Sequence, residues 1–283
     1  MVSENIIKNT VAELLRRAVI KLPADVKASL EKAYKNEISA IAKMQLKAIL
    51  DNIKLAEDAN LPMCQDTGVI IFYVTNPVPN IQKPLVEGVR EATKLIPLRP
   101  NAVHPITRKN PGDNIGERMP YINYSFSNDD FMEITAFPKG AGSENMSTST
   151  MLTPAQGIKG VKEFVLNAVI KAGSQPCPPT IIGVGIGGSA DIATKIAKEA
   201  LLRPINQRHK DKEIAQLENE LFEAINLLGI GPMGLGGKTT CLGVNIEYAY
   251  CHTASLPVAV NIQCWAARKA SARIYRDGVV KYV

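Results

Sequence analysis

The chain has 283 residues, of which 46% are hydrophobic and 21% charged, an ordinary balance for a soluble globular protein. No apolar run approaches the roughly 20 residues of a membrane span, and the N-terminus lacks the basic region and apolar core of a signal peptide. The net charge of +6 comes from scattered Lys and Arg residues without interleaved aromatic residues, which argues against nucleic-acid binding. We therefore expect a cytoplasmic protein. Its positive charge is more compatible with a pocket for small anions than with nucleic acid.

Apolar periodicity and turn signals predict an α/β (α+β) fold, with a helical N-terminal block followed by mixed-sheet lobes and Gly-rich βα turns. Helices are predicted over residues 4–20, 23–35, 37–59, 81–95, 153–172, 190–202 and 207–228. Strands are predicted over residues 69–75, 121–126, 131–137, 180–186, 241–250 and 257–263, with a final hairpin at Asp277-Gly278. We expect one domain over residues 1–283 with two lobes, residues 1–150 and 151–283. The N-terminal block should pack on the outside, and helix 207–228 should be solvated.

The most reactive stretch is MCQDTG at residues 63–68, which stands between Pro62 and the apolar strand 69–75. A turn in front of a rigid strand is a common way for a fold to present reactive groups, and this one carries a thiol, an amide, a carboxylate and a hydroxyl. A single cysteine in a turn is as often a structural residue. The positions of the other cysteines therefore decide between the two interpretations.

Five cysteines in a chain expected to be cytoplasmic indicate thiols or metal ligands rather than disulfides. Cys64, Cys177 and Cys264 all lie at junctions between predicted elements. Cys241 begins the predicted strand 241–250 and Cys251 directly follows it, and both are interpreted as small apolar residues. Three thiolates from distant turns suit an iron–sulfur cluster or a zinc site, although they lack the Cys-x-x-Cys spacing typical of both. Spacing alone leaves the structural interpretation open.

Two glycine-rich segments match nucleotide-binding patterns only in part. The segment Gly183-x-Gly185-x-x-Gly188 resembles the dinucleotide fingerprint, but no acidic residue ends a second strand about 20 residues later. Residues 232–239 end like a P-loop, but Pro232 replaces the first glycine of that motif. We expect neither nucleotide. Without a nucleotide, backbone N–H groups at the start of a helix can still bind an anion.

Five motifs together resemble the class I, oxygen-sensitive fumarate hydratases, over nearly the whole chain and in the right order. They are MCQDTG at residues 63–68, KGAGSEN at 139–145, CPPTIIGVGIGGSAD at 177–191, GLGGKTT at 234–240 and HTASLPVAVNIQC at 252–264. The resemblance is to the N-terminal half of these enzymes, which in two-subunit members is a separate alpha subunit. The L(+)-tartrate dehydratase alpha subunit is a close relative.

The resemblance implies a hydro-lyase subunit that interconverts fumarate and (S)-malate, a reaction of the tricarboxylic acid cycle. A beta subunit would complete the active site in an alpha2beta2 assembly, and a small dicarboxylate would be the substrate. The alternative within the class is dehydration of L(+)-tartrate to oxaloacetate. The alternative of another class is a non-catalytic iron–sulfur protein in electron transfer or redox sensing, which normally has four protein ligands on its cluster.

The resemblance also implies roles for individual residues. Cys64, Cys177 and Cys264 would hold a 4Fe–4S cluster whose fourth iron stays open as a Lewis acid. The implied substrate-binding residues are Gln65, Asp66, Arg108, Gly140, Ser143 and Asn145.

Asp66 and His252 are the implied catalytic residues. For Asp66 the alternative is a carboxylate that only caps its turn near Gly68. Arg99 lies near Arg108 in sequence and is the alternative carboxylate-binding residue. His104 and His209 are interpreted as surface residues.

Overall fold

The computed structural model describes residues 2–283. The helices are α1 (Glu4–Ile20), α2 (Ala24–Asn36), α3 (Ala40–Ala59), α4 (Gln82–Leu95), α5 (Ala141–Glu144), α6 (Gly157–Ala172), α7 (Ala190–Ala200) and α8 (Lys212–Leu227). The strands are β1 (Val69–Thr75), β2 (Tyr121–Ser125), β3 (Phe131–Lys139), β4 (Thr148–Leu152), β5 (Thr180–Gly187), β6 (Cys241–Ala249), β7 (Leu256–Gln263), β8 (Ala270–Tyr275) and β9 (Val280–Tyr282).

These elements form two compact units, each built from separate segments of the chain. Within the described residues, unit 1 consists of residues 2–23, 52–141 and 268–283, and unit 2 of residues 24–51 and 142–267. The helices of the predicted N-terminal block belong to different units, with α1 in unit 1 and α2 in unit 2.

Unit 1 is a five-stranded mixed sheet of order β2-β1-β3-β8-β9, in which β1 runs parallel to β2 and the other neighbours pair antiparallel. Helix α1 is capped by Ser3, whose side chain accepts the N–H of Ile6. Its apolar stripe packs with α4 and the sheet in one buried core, to which Leu14, Phe72, Leu85 and Ile134 contribute.

The pairing of β1 with β3 decides where the reactive stretch lies. Val69, the first residue of β1, is opposite Lys139, the last residue of β3. The turn before β1 and the turn after β3 therefore lie side by side. These are the MCQDTG turn, residues 63–68, and the start of the KGAGSEN motif.

Unit 2 is a four-stranded sheet of order β4-β7-β5-β6 with helices on both faces. Helices α6 and α8 share a buried core with alternate residues of β5, among them Ile182 and Val184. On the other face, the Cβ of an alanine at Gly183 would lie 2.2 Å from the Ala197 carbonyl oxygen, and one at Gly185 would lie 2.1 Å from the Ala193 oxygen. These glycines of the fingerprint-like segment therefore allow α7 to pack closely on the strand.

The predicted α/β (α+β) fold class is confirmed, and the predicted helices and strands occur at the expected places. Strand β4 is missing from the prediction, and the KGAGSEN motif at residues 139–145 contains the single helical turn α5. Among residues 2–283, no helix combines the length and apolar character needed to cross a membrane.

Two predictions of solvated residues are wrong. Helix α8 buries Leu217, Leu221 and Ile225, and its Glu218 is fully buried, where it accepts the N–H of Ile246 at 2.8 Å and pairs with a guanidinium nitrogen of Arg203. His209 is half-buried rather than solvated. Its Nε2 lies 3.5 Å from a carboxylate oxygen of Glu247, and its ring packs against that of Tyr248.

Candidate active site

In unit 1, the Asp66 carboxylate joins the two neighbouring turns. Its Oδ1 accepts the backbone N–H of Gly68 at 3.0 Å and the side-chain amide of Asn101 at 3.4 Å. Its Oδ2 accepts the backbone N–H of Ala141 at 2.8 Å. The first contact is the turn cap that the alternative interpretation of Asp66 predicts. The Ala141 contact is long-range, and it fixes the carboxylate beside Gly140, one of the predicted substrate-binding residues.

Arg268 is a residue of this region that sequence analysis missed. It is only 2% exposed, and its Nε and Nη1 have no hydrogen-bond partner among residues 2–283. Its Nη2 lies 2.3 Å from the place that a Cβ at Gly140 would occupy, and the Asp66 Oδ2 lies 3.1 Å from that same place. Gly140 therefore leaves room for a cation beside the Asp66 carboxylate. Only its position four residues after Cys264 could have drawn attention to Arg268.

The remaining predicted residues of unit 1 lie on exposed segments. Gln65 is exposed next to Asp66. Arg108 is exposed with a φ of +60°. Its loop is shaped by the exposed His104, whose Nδ1 accepts the backbone N–H groups of Ile106 and Thr107 at 3.2 and 3.1 Å. His104 thus organises the loop that carries Arg108.

The alternative arginine, Arg99, is attached directly to the MCQDTG turn through its backbone. The Arg99 N–H donates to the Thr67 hydroxyl at 3.1 Å, and that hydroxyl lies 3.3 Å from the Arg99 carbonyl oxygen. Arg99 is also exposed. Both arginines are therefore exposed residues of unit 1.

In unit 2, two of the predicted ligands lie at the same end of the sheet. Gln263, the last residue of β7, is opposite Ile181 of β5, and Cys264 follows it. The N–H of Trp265 then donates to the carbonyl oxygen of Cys177 at 3.4 Å. Cys177 has a φ of +53°, in the left-handed region. The segments that carry the two thiols are thus hydrogen-bonded to each other.

Among residues 2–283, the five cysteines form no disulfide and lie in different environments. Cys64, Cys177 and Cys264 are partly exposed. Cys241 is buried, and burial raises the pKa of its thiol far above the ordinary range, so it is a poor source of thiolate. Cys251 is exposed, and its Sγ lies 3.2 Å from the Ser255 carbonyl oxygen.

The three partly exposed thiols fit an iron–sulfur cluster by the chemistry of their donors, since soft thiolates are the preferred ligands of such clusters. Among residues 2–283, no three His, Cys, Asp or Glu side chains converge as one metal ion would require. In a cubane cluster each cysteine binds its own iron, so convergence on one ion is not needed.

Glu144, which stands between the predicted residues Ser143 and Asn145 of the KGAGSEN motif, lies in a partly buried polar network of unit 2. Glu144 pairs with Lys198 of α7 and accepts the side-chain amide of Asn261 of β7 at 3.2 Å, and this amide also donates to the Ser147 hydroxyl at 2.7 Å. Ser143 is buried and Asn145 is exposed. Lys198 and Asn261 therefore fix the orientation of this turn, and no local motif marks them in the sequence.

His252 lies on an exposed turn after β6. Its Nδ1 accepts the backbone N–H of Ala254 at 3.1 Å, so its neutral form carries the ring proton on Nε2. The residue lines a pocket of about 460 Å³ together with apolar side chains that include Ile186 and Leu217. Its Nε2 is the atom available for proton exchange.

Comparisons with known proteins agree with the motifs. The fumarate hydratase (Fumerase) family model matches residues 8–273. The putative L(+)-tartrate dehydratase subunit alpha of Methanocaldococcus jannaschii is 55% identical over 280 residues, covering 96% of this chain and 98% of the relative. The L(+)-tartrate dehydratase subunit alpha of Escherichia coli K12 is 36% identical over 280 residues, covering 96% of this chain and 92% of the relative. The resemblance indicated by the motifs is thereby confirmed, and the chain belongs to the fumarate hydratase family.

Proposed function

We propose that this chain is the alpha subunit of an iron–sulfur hydro-lyase that reversibly hydrates fumarate to (S)-malate. The observation that carries the proposal is the position of the Asp66 carboxylate. It follows the thiol of Cys64 by two residues and is tied to the turn of the KGAGSEN motif through the Ala141 N–H at 2.8 Å. Membership of the fumarate hydratase family supports the reaction class.

Cys64, Cys177 and Cys264 are the residues that would hold the 4Fe–4S cluster. When bound, the cluster supplies Lewis acidity at an iron without a cysteine ligand. Their partial exposure and the hydrogen bond between the Trp265 N–H and the Cys177 carbonyl support this assignment. A redox carrier is the less favoured alternative, because such proteins normally supply four ligands to the cluster.

Substrate capture requires cations and N–H donors for two carboxylates. We assign one carboxylate to Arg108, with Arg99 as the alternative, because both are exposed residues. Gln65 and Asn145 are exposed amides that can donate to carboxylate or hydroxyl oxygens. Gly140 and Ser143 would contribute through the backbone of their turn.

Hydration and dehydration both move a proton at the carbon next to a carboxylate, which requires a base. Asp66 is assigned as the residue that accepts or positions this proton. Its Oδ2 accepts one N–H from Ala141, which orients the carboxylate and leaves a lone pair for a proton. His252 is assigned to proton exchange with solvent through its Nε2.

The site in this chain is proposed to be completed by a beta subunit in an alpha2beta2 assembly. The relatives described above are named as alpha subunits, which supports a partner of this kind. We also propose that the enzyme is cytoplasmic.

Dehydration of L(+)-tartrate to oxaloacetate is the second candidate, and the names of the relatives at 55% and 36% identity favour it. The deciding experiment is to co-express this chain with a beta-type partner, purify the complex without oxygen and compare kcat/KM for fumarate, (S)-malate and L(+)-tartrate. A higher kcat/KM for fumarate and malate supports the proposal. A preference for tartrate replaces it with the second candidate, and a cluster unaffected by all three acids supports the redox carrier.

A further inference from the structure

Gln263 is a buried amide in direct contact with the sulfur of Cys264. The residue is 1% exposed. Its Nε2 lies 3.1 Å from the Ala266 carbonyl oxygen and 3.4 Å from the Cys264 Sγ. An amide nitrogen carries two hydrogens, so one can bond the carbonyl while the other points to the sulfur.

The alternative orientation of this amide is unfavourable. Exchanging its oxygen and nitrogen would place Oε1 against the carbonyl oxygen of Ala266, two acceptors facing each other. In the observed orientation Oε1 has no hydrogen-bond partner among residues 2–283. A buried amide normally pairs its oxygen as well. The position of Gln263 therefore provides acceptors for the N–H groups of its amide and leaves the amide oxygen without a hydrogen bond.

We propose that Gln263 is a positioning residue for the Cys264 sulfur, to which it donates an N–H···S hydrogen bond that strengthens cluster retention and raises the cluster's reduction potential. Donors to a cluster-ligating sulfur draw electron density from it, which favours the reduced state and a higher potential. The bond to Ala266 holds the amide in place for this contact. The inference depends on the proposed cluster, and it adds a role that the family motifs leave unassigned.

A purely structural role for Gln263 is the competing explanation, in which the amide only ties down the turn through Ala266. The chain offers a matched control in Asn245 of β6. Asn245 is also a buried amide, its Nδ2 donates to the carbonyl oxygens of Ala200 and Arg203 at 3.0 and 2.8 Å, and its Oδ1 has no partner among residues 2–283. Its bonds reach no cysteine, so it reports the effect of removing a buried amide alone.

The test uses the complex with a beta-type partner, reconstituted without oxygen, and the variants Gln263→Met, Gln263→Leu and Asn245→Leu. Iron per chain during exposure to a chelator and the midpoint potential from an EPR-monitored redox titration are measured. Gln263→Met should weaken iron retention by about 10- to 100-fold and shift the potential to more negative values. Gln263→Leu also removes the amide donor without adding charge, and it should shift the potential in the same direction. Asn245→Leu should leave both quantities unchanged.

Two results would overturn the inference. One is a wild-type potential and iron retention in both folded Gln263 variants, which leaves the proposed function intact. The other is an equal shift in Asn245→Leu, which assigns the effect to lost packing. If the wild-type complex itself binds no cluster, the proposed function and this inference both fail, so the two failures are distinguishable. Circular dichroism checks the fold of each variant, and Gln263→Leu decides the question if Gln263→Met does not fold.

Discussion

The carboxylate of Asp66 accepts a 2.8 Å hydrogen bond from the backbone N–H of Ala141, 75 residues further along the chain. Its other oxygen accepts the N–H of Gly68 at 3.0 Å. The same side chain therefore caps its own turn and attaches it to the start of α5. A turn-capping residue and a catalytic residue would both show the Gly68 contact. Replacing Asp66 with Asn therefore tests its role only together with a control variant.

Replacing Asp66 with Asn should lower kcat by roughly 10²- to 10⁴-fold, because the amide cannot accept a proton as the carboxylate does. Cluster absorbance and substrate affinity should be retained. The measurement is steady-state turnover of the reconstituted complex with fumarate and malate. An Asp66→Asn enzyme that turns over at nearly the wild-type rate would remove Asp66 from the mechanism.

Asn101→Ala is the matched control for the turn. It removes the donor that contacts the Asp66 Oδ1 at 3.4 Å and the Gly68 carbonyl oxygen at 3.2 Å, and it keeps the carboxylate. Asn at position 66 also turns an NH₂ group toward a backbone N–H, so some loss is structural. If Asn101→Ala costs as much turnover as Asp66→Asn, geometry of the turn rather than proton transfer explains the loss.

Serine in place of Cys64, Cys177 or Cys264 should abolish cluster binding, because a hydroxyl is a harder and poorer ligand for cluster iron. Cys241→Ser and Cys251→Ser should keep the cluster, since neither is assigned as a ligand and the buried Cys241 thiol resists ionisation. Iron content and visible absorbance after anaerobic reconstitution check both sets. An indispensable Cys241 beside a dispensable Cys264 would contradict the ligand assignment.

Features with local sequence signals were predicted correctly. Helix α1 has a Ser3 cap and a regular apolar stripe, and its bounds, Glu4–Ile20, are those expected from periodicity.

Elements without such signals were missed or misinterpreted. Strand β4, Thr148–Leu152, is mostly exposed, so it lacks the buried alternation that identifies a strand. The many charged residues of α8 made the helix appear solvated, although the spacing of its buried leucines and isoleucine is that of a buried face.

Long-range pairing was not predictable from the chain order. Strand β8 pairs with β3, with Phe131 opposite Tyr275, and this brings the C-terminal segment into unit 1. Arg268 lies beside Gly140 for the same reason, because it lies just before β8 in this C-terminal segment. No local pattern marks such a residue, because its importance depends on contacts made by segments far apart in sequence.

Replacing Arg108 with Met should weaken dicarboxylate binding by about ten- to a hundredfold, because one charge-assisted contact is lost. The absorbance of the cluster should not change. Arg99→Met is the matched control, since it is a second exposed arginine attached to the same unit. A rise in KM for Arg99→Met alone would exchange the roles of the two arginines.

The last prediction concerns Glu37, which stabilises unit 2 in a pH-dependent way. The residue is 3% exposed, and its carboxylate accepts the N–H groups of Ile38, Ser39 and Lys238 at 2.9, 3.0 and 2.9 Å. Burial acts to raise the pKa of Glu37, but these three backbone donors outweigh it, and the pKa is lowered below its ordinary value. The bond to Lys238 attaches the GLGGKTT loop, residues 234–240, to the segment before α3.

Because the folded-state pKa is lowered, the carboxylate contributes stability above the unfolded-state pKa of about 4.3, and this contribution is lost as the pH falls through the lower folded-state value. Glu37→Gln should therefore cost about 1–3 kcal/mol of unfolding free energy at pH 7, the worth of hydrogen bonds to a charged group. Urea denaturation of wild type and variant from about pH 7 down to about pH 3 measures this difference. It should shrink as the pH falls, while the control Glu31→Gln, an exposed residue of α2, should show little difference at any pH. A constant difference between wild type and Glu37→Gln across the range would show that packing, rather than the carboxylate's charge, holds this loop.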